Sequence, residues 1–118
     1  MENESKILTK QIVDILEDRL ALDIEVIEIG EYSIIADYFV IASGKTELQT
    51  RALYEHVDEG VKKNLGIDPI RCEGAQKGRW IAMDYGNVIV HIFHREDREY
   101  YDLERLWVHA PHVDVRND

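Results

Sequence analysis

The sequence has 118 residues, of which 45% are hydrophobic and 32% are charged, and its formal net charge is −10 at pH 7. This length suits one globular domain, and the composition excludes a disordered or fibrous chain. Nucleic-acid binding draws most of its affinity from Lys and Arg on phosphates. A charge of −10 therefore argues against direct, specific binding to a nucleic acid.

No stretch of the sequence predicts a membrane-spanning helix or an export signal. The longest apolar runs, such as residues 39–42 and 88–90, are far below the roughly 20 residues of a membrane helix. The first four residues lack the basic and apolar regions of a signal peptide. Cys72 is the only cysteine, so neither an internal disulfide nor a cysteine-based zinc site can form. We predict a cytoplasmic protein.

The first half of the chain predicts a helix, two strands and a second helix. Apolar residues recur at steps of three and four from about residue 4 to 22, which is typical of an amphipathic helix packed on a sheet. Residues 23–29 alternate between polar and apolar side chains and predict a strand with one solvent-exposed face. The apolar run 38–43 predicts a strand covered on both faces. Thr46 is a candidate N-cap of the second helix, which should end at Gly66.

The second half predicts three more strands and a last helix. The strands cover residues 70–73, 79–85 and 87–93. The last two should form a tight hairpin at Tyr85-Gly86-Asn87, and the strands on either side of the second helix should run parallel in a right-handed crossover. Glu96 and Asp97 predict the first turn of a last helix that runs to about Leu106.

These elements follow the order α-β-β-α-β-β-β-α. We therefore predict an α/β (α+β) fold with a mixed five-stranded sheet flanked by helices. A single domain should span residues 1–107. Residues 108–118, with a proline and mixed charge, should form a flexible tail.

An enzyme is one alternative, and its motifs are incomplete. Metal-dependent nucleotidyl transfer needs a Gly-Ser that grips phosphate and, shortly after it, a carboxylate pair that holds magnesium. Here the order is Ser43-Gly44, and no such pair follows; Asp23-x-Glu25 has the spacing but precedes the turn. The phosphate-binding and dinucleotide-binding glycine loops are also missing. We predict no catalytic residue and no cofactor.

Two histidines suggest a metal site, but their spacing argues against one. His91 and His94 lie three apart on a predicted strand, so their side chains should point to opposite faces. His91 lies in the middle of the most apolar strand, which is more typical of a hydrogen-bonded core or sheet-face residue. We predict no metal site.

Large aromatic residues concentrate between residues 79 and 107. Trp80, Ala82 and Asp84 should share one face of their strand because side chains alternate. The opposite face is apolar and consists of Ile81, Met83 and Tyr85. That face should be core, which sends Trp80 to the other side of the sheet.

The last helix adds two aromatic stripes. Helical spacing places Tyr100, Leu103 and Trp107 on one stripe, and Tyr101 and Arg105 flank a second. One stripe must pack on the sheet, the other can meet a partner, and the sequence leaves open which is which. Aromatics beside arginines are typical of the centre of a binding surface.

Charge is unevenly placed along the chain. Residues 1–37 hold ten acids and three bases, a net charge of −7, whereas residues 71–105 hold seven acids and six bases, a net charge of −1. The aromatic segment is thus almost neutral. This charge balance favours contact with a basic protein over contact with bare RNA.

Several motifs occur in order from about residue 7 to residue 107. They are Ala36-Asp37-Tyr38-Phe39-Val40-Ile41-Ala42-Ser43-Gly44, Gln49, Asp84-Tyr85-Gly86, Val88-Ile89-Val90-His91-Ile92-Phe93, Arg98 and Tyr101-Asp102-Leu103-Glu104-Arg105-Leu106-Trp107. With them the chain resembles the ribosomal silencing factor (Iojap-like, RsfS) family. The resemblance implies a small α/β fold similar to the nucleotidyltransferase core.

The resemblance also implies a function. Silencing factors bind the large ribosomal subunit through its interface protein, conventionally the fourteenth of the series, and block joining of the small subunit, which represses translation. The matching partner-binding residues here are Trp80, Asp84, His94, Arg98, Tyr100, Tyr101, Leu103 and Trp107. A homodimer is compatible with the resemblance. The alternatives are a nucleotidyltransferase-like enzyme and a generic homodimerisation module.

Overall fold

The computed structural model describes residues 2–115 of the chain, with the side chains of residues 4–115. Its helices are α1 (Glu2–Asp18), α2 (Glu47–Leu65) and α3 (Arg95–Tyr101), and a 3-10 helix (Leu103–Trp107) follows α3. Its strands are β1 (Leu22–Glu28), β2 (Tyr38–Gly44), β3 (Arg71–Glu73), β4 (Trp80–Asp84) and β5 (Val88–His94). The predicted α/β class and the predicted order of elements are confirmed. Within this part of the chain, no helix has the length and apolar character needed to cross a membrane.

The five strands form one mixed sheet in the order β1-β2-β5-β4-β3. Among the described strands, only β2 and β5 pair in parallel, and the other three pairs are antiparallel. It follows that β2 and β3 run in the same direction, as predicted, but the β4–β5 hairpin lies between them. The crossover through α2 therefore spans the sheet rather than joining neighbouring strands.

The caps of α2 lie where the sequence predicts them. The Thr46 hydroxyl accepts a hydrogen bond from the Gln49 amide at 3.0 Å, and the Gln49 side chain accepts one from the Lys45 amide at 2.7 Å. Gly66 ends the helix in the left-handed region, with φ of +69°, and donates its N–H to the Lys62 carbonyl. Local chemistry thus fixes both ends of α2.

The first hydrophobic core lies between the sheet and the layer formed by α1 and α2. The helices contribute Leu8, Ile12, Val13, Leu16, Leu53, Val57 and Val61, and the sheet contributes Val40, Ala42, Ile81, Met83, Val90 and Ile92 among others. Each large apolar side chain that is fully buried stabilises the fold by roughly 1.5–3 kcal/mol relative to exposure. This core therefore holds the helix layer firmly on one face of the sheet.

A second, smaller core covers the opposite face of the sheet. It contains Ile27, Ile29, Ala36, Phe39, Ile41, Phe93 and Ala110, with Trp80, Ile89, Leu103 and Trp107 half-buried around it. Among residues 2–115, no long helix covers this face. Its cover comes instead from the 3-10 helix and the C-terminal segment, so side chains at its margin stay partly exposed.

The expectation of a flexible tail is wrong for residues 108–115. The Glu28 amide donates to the Pro111 carbonyl and the Val113 amide donates to the Val26 carbonyl, both at 2.9 Å, and Val115 is buried. The physical reason is that β1 is an edge strand, whose unpaired backbone groups this segment satisfies. Ala110 of this segment also packs with Ile27 and Ile29 in the second core, so the outward face of β1 is partly covered. Residues 116–118 lie outside the described part of the chain.

The prediction of one continuous last helix is also wrong. Helix α3 ends at Tyr101, because Asp102 adopts the left-handed conformation with φ of +47°. Aspartate is among the few non-glycine residues that visit this region readily. The break turns the chain, so Tyr100, Leu103 and Trp107 do not form one stripe. Leu103 and Trp107 pack on the second core, while Tyr100 is exposed.

Candidate partner-binding surface

The β4–β5 hairpin determines which way Trp80 points. Trp80 lies opposite Phe93 in the register, and Asp84 lies opposite Ile89. Burial alternates along β4, with Ile81 and Met83 fully buried in the first core and Trp80, Ala82 and Asp84 partly exposed on the other face. The predicted side of the sheet for Trp80 is confirmed.

Interior contacts fix the Trp80 ring from several directions. Its indole stacks on Phe93 with centroids 4.8 Å apart and an interplanar angle of 28°. The indole Nε1–H donates to Nδ1 of His91 at 3.1 Å. Because the ring is bonded and stacked in the free protein, little rotamer freedom is left for a partner to remove.

Two tyrosines at the end of α3 extend this ring outward. The Tyr101 ring lies 4.9 Å from that of Trp80, and the Tyr100 ring meets Tyr101 edge-on at 5.1 Å. Tyr100 is 82% exposed and Tyr101 is 51% exposed. We call Trp80, Tyr100 and Tyr101 the aromatic platform. Two of its three rings are exposed and the third is fixed in the fold, which suits a binding hot spot.

Asp84 lies on the same strand face as Trp80, two residues further along β4. One carboxylate oxygen accepts from the Gly86 amide at 2.8 Å, and the other lies 3.7 Å from Nε of Arg71. The side chain thus shapes the hairpin turn. It also keeps 27% of its surface exposed, so it can meet a partner at the same time.

Leu103 and Trp107 lie at the margin of the second core, where each is partly covered. Both are half-buried against the second core. The Trp107 ring meets Phe39 edge-on at 5.5 Å, and its buried Nε1–H has no hydrogen-bond acceptor among the described residues. These two side chains therefore pack on the same core as Trp80 and keep part of their surface exposed.

His94 is buried, and Arg98 is largely covered by other groups of the protein. His94 is buried and accepts from the Glu96 amide at 3.2 Å through Nδ1, so it caps the start of α3. The Arg98 side chain is only 12% exposed and is bonded to several groups of the protein. Of the eight residues expected from the sequence, the structure brings Trp80, Tyr100 and Tyr101 together at the surface, with Asp84 on the strand face of Trp80.

A clamp between Arg79 and Asp97 was not anticipated from the sequence. The Arg79 guanidinium donates to both carboxylate oxygens of Asp97, through Nε at 3.2 Å and through Nη2 at 2.5 Å, and so ties β4 to the first turn of α3. The hairpin predicted from the sequence could have indicated this clamp. Once the turn at residues 85–87 fixes the register, Arg79 must lie across from His94, one residue before α3 begins.

His91 is a hydrogen-bonded, buried residue beneath Trp80. Its ring meets Phe39 edge-on at 4.8 Å. Since Nδ1 accepts from Trp80, the neutral ring carries its proton on Nε2, which has no partner among the described residues. Burial lowers the pKa of His91 from 6.5 to about 4.

This lowered pKa predicts a loss of stability in mild acid. The unfolded chain takes up a proton at His91 below pH 6.5, whereas the folded chain resists it down to about pH 4. Stability should therefore fall as the pH drops through that window, by about 2 kcal/mol between pH 7 and pH 5. Urea unfolding of wild type and of His91→Gln at both pH values measures it. An equal pH dependence in the two proteins would contradict a buried, neutral His91.

The Ser43-Gly44 turn is occupied by the protein's own side chains. The Ser43 hydroxyl accepts a hydrogen bond from Arg98 at 2.9 Å. A Cβ at Gly44 would lie 2.8 Å from Oγ1 of Thr50, so the glycine allows close approach of α2. Glu25 reaches out to His112, at 2.8 Å. Within the described residues, no group of three or more His, Cys, Asp or Glu side chains could hold a metal ion.

Comparison with known proteins gives matches along nearly the whole chain. The family model described as "ribosomal silencing factor during starvation" matches residues 2–118. The ribosomal silencing factor RsfS of Bacillus subtilis is 41% identical over 99 residues, which cover 84% of this chain and 79% of that protein. A protein of mouse named "mitochondrial assembly of ribosomal large subunit protein 1" is 33% identical over 81% of this chain, but that match covers 43% of the mouse protein.

A solved structure supports the same relationship. The crystal structure of a protein from Chromobacterium violaceum superimposes with a TM-score of 0.82 at 31% identity, covering 85% of this chain and 82% of that one. The sequence and the fold therefore agree, and the resemblance read from the spaced motifs is confirmed. This chain belongs to the ribosomal silencing factor family.

Proposed function

We propose that this chain represses translation by binding the large ribosomal subunit through the aromatic platform and blocking the joining of the small subunit. The observation that carries the proposal is an exposed tyrosine ring that rests on an indole fixed by interior contacts. Tyr101 is half exposed, yet its ring rests on Trp80, which is itself stacked on Phe93. A partner that covers these rings gains apolar contact at little cost in side-chain entropy.

The chemistry of the surface favours a protein partner. The chain carries a net charge of −10, which opposes contact with RNA phosphates and favours a basic protein. Of the ribosomal proteins, the family resemblance suggests the large-subunit interface protein conventionally numbered fourteen. The name of the mouse relative also refers to a large ribosomal subunit. We place the encounter in the cytoplasm, where bacterial ribosomes work.

The proposed mechanism is obstruction and needs no reacting group. The domain measures 35 × 33 × 26 Å along its principal axes. The helix layer of α1 and α2 lies on the opposite face of the sheet from the platform. With the platform on the large subunit, this layer points toward the incoming small subunit. A body of that thickness keeps apart two surfaces that must touch.

A subunit-joining experiment tests the proposal. Purified large subunits are incubated with the chain, small subunits are added, and the fraction of joined ribosomes is measured by sedimentation. We expect this fraction to fall as the chain is titrated, and the chain to sediment with large subunits only. Sedimentation with small subunits alone, or full joining at saturating chain, would contradict the proposal.

Self-association through the same rings is the second candidate, because an exposed aromatic surface also suits a homodimer. Sedimentation equilibrium separates the two. A dimer that dissociates when large subunits are added would mean that both partners use the platform, whereas a dimer that persists on the ribosome would place self-association elsewhere.

A further inference from the structure

Helix α3 carries both tyrosines of the platform but places no apolar side chain in either core. It has seven residues, and none of them is buried. A helix of this length is unstable alone, and most helices in proteins are held by an apolar face. Polar contacts must therefore hold α3 in place, together with the ring contact between Tyr101 and Trp80.

Arg98 provides most of these contacts at the C-terminal half of α3. Its Nε and Nη2 donate to the two carboxylate oxygens of Glu104 at 3.2 and 3.1 Å, which joins α3 to the 3-10 helix across the break at Asp102. Its Nη1 donates to the Ser43 hydroxyl at 2.9 Å, at the end of β2. The bidentate pairing of an arginine with a carboxylate, as between Arg98 and Glu104, is among the strongest polar contacts that a side chain makes.

The fourth contact of Arg98 depends on an irregularity in β1. Nη1 also donates to the Asp23 carbonyl at 2.6 Å. Asp23 has φ of +47° and lies where the β1–β2 register shifts, between Leu22 and Glu25. Its carbonyl is therefore not committed to the β1–β2 ladder and can accept from the guanidinium. The irregular backbone at Asp23 thus presents its carbonyl to the Arg98 guanidinium.

We propose that Arg98 is a positioning residue that sets Tyr101 on Trp80 and does not itself contact the ribosome. It locks α3, the break at Asp102 and the 3-10 helix to the ends of β1 and β2. Its side chain is 12% exposed, and each of its three nitrogens donates to a group of the protein. Lysine cannot replace it, because an ammonium group lacks the planar fork. This inference rests on the proposed function of the platform.

A double-mutant cycle on ribosome binding tests the inference. The dissociation constant for purified large subunits is measured for wild type, Arg98→Met, Tyr101→Ala and the double variant. We expect Arg98→Met to weaken binding about tenfold in wild type and less than twofold in Tyr101→Ala, since residues that act through one another are not additive. An equal loss in both backgrounds would mean direct contact and would overturn the inference.

A second measurement, the fluorescence emission of Trp80, tests the inference without the ribosome. The chain has two tryptophans, so Trp107→Phe leaves Trp80 as the only one. In that background we expect Arg98→Met and Arg98→Lys to shift the Trp80 emission to longer wavelength, as Tyr101 moves off the ring. Unchanged emission would overturn the inference. If Arg98→Met does not fold, Ser43→Ala, which removes one acceptor, is measured in the same two assays with the same criteria.

The two arms separate the inference from the function on which it rests. If Tyr101→Ala binds large subunits as wild type does, the proposed role of the platform fails, while the emission of Trp80 still decides whether Arg98 positions Tyr101. If Tyr101→Ala weakens binding but substituting Arg98 leaves the emission wavelength of Trp80 unchanged, the proposed role of the platform is supported and the inference about Arg98 is contradicted.

Discussion

Replacing Tyr101 by alanine is expected to weaken binding to large ribosomal subunits by about 30-fold, the loss typical of a hot-spot residue. The side chain is 51% exposed, and the structure shows its ring in contact with Trp80, Phe93 and Tyr100. Removing it should cost little folding stability, about 1 kcal/mol or less, as for most surface substitutions. Cosedimentation with large subunits measures the first effect and urea unfolding the second.

The controls for this prediction come from the same chain. Tyr101→Phe keeps the ring and should bind within a few fold of wild type. Leu48→Ala removes an apolar side chain that is 73% exposed on α2, in the helix layer on the other face of the sheet. It should leave binding unchanged. Wild-type affinity for Tyr101→Ala, together with a loss for Leu48→Ala, would move the binding surface to the helices.

Much of the fold follows from short-range patterns in the sequence. Thr46 and Gly66 mark the ends of α2 because capping depends on residues only a few positions apart. Trp80 points away from the first core because side chains alternate along a strand. These features could be predicted since each depends on local geometry that any folded context preserves.

The features that could not be predicted depend on contacts between distant residues. The break at Asp102 is accompanied by the bonds of Arg98 to Ser43 and Asp23, which lie 55 and 75 residues away in the sequence. The docking of residues 108–115 depends on the free edge of β1, which becomes visible only when the strand order is known. Helical spacing beyond Tyr101 therefore carried no information, because the helix had already ended.

The same dependence on distant contacts explains why some of the predicted site residues are exposed while others pack on the core. The sequence identifies aromatic and charged residues near one another, but it does not separate a ring that meets solvent from one that supports its neighbour. Tyr101 and Trp107 both follow Trp80 in the sequence and both lie on its side of the sheet. The first rests on Trp80 and stays half exposed, whereas the second packs on Phe39. Only the turn at Asp102 decides between these roles.

Replacing Phe93 by alanine is expected to lower the free energy of unfolding by about 3–5 kcal/mol, the range for deleting a buried aromatic ring. Phe93 is fully buried in the second core, and the Trp80 indole stacks on it. A domain of this size has a total stability of about 5–15 kcal/mol, so the loss is a large fraction of it. Urea unfolding measures the change, and Phe93→Leu should recover more than half of it.

Phe93→Ala should also weaken ribosome binding beyond what unfolding explains, because Trp80 loses the surface on which it stacks. Ile92→Ala is the matched control. Ile92 is the neighbouring residue on β5, is equally buried, and faces the first core instead. It should cost about 2–5 kcal/mol of stability, yet the folded fraction should bind as wild type does. If both variants bind equally well once corrected for the folded fraction, the stacking of Trp80 on Phe93 is irrelevant to recognition. If only Phe93→Ala loses affinity, the core beneath the rings is part of the binding surface that it supports.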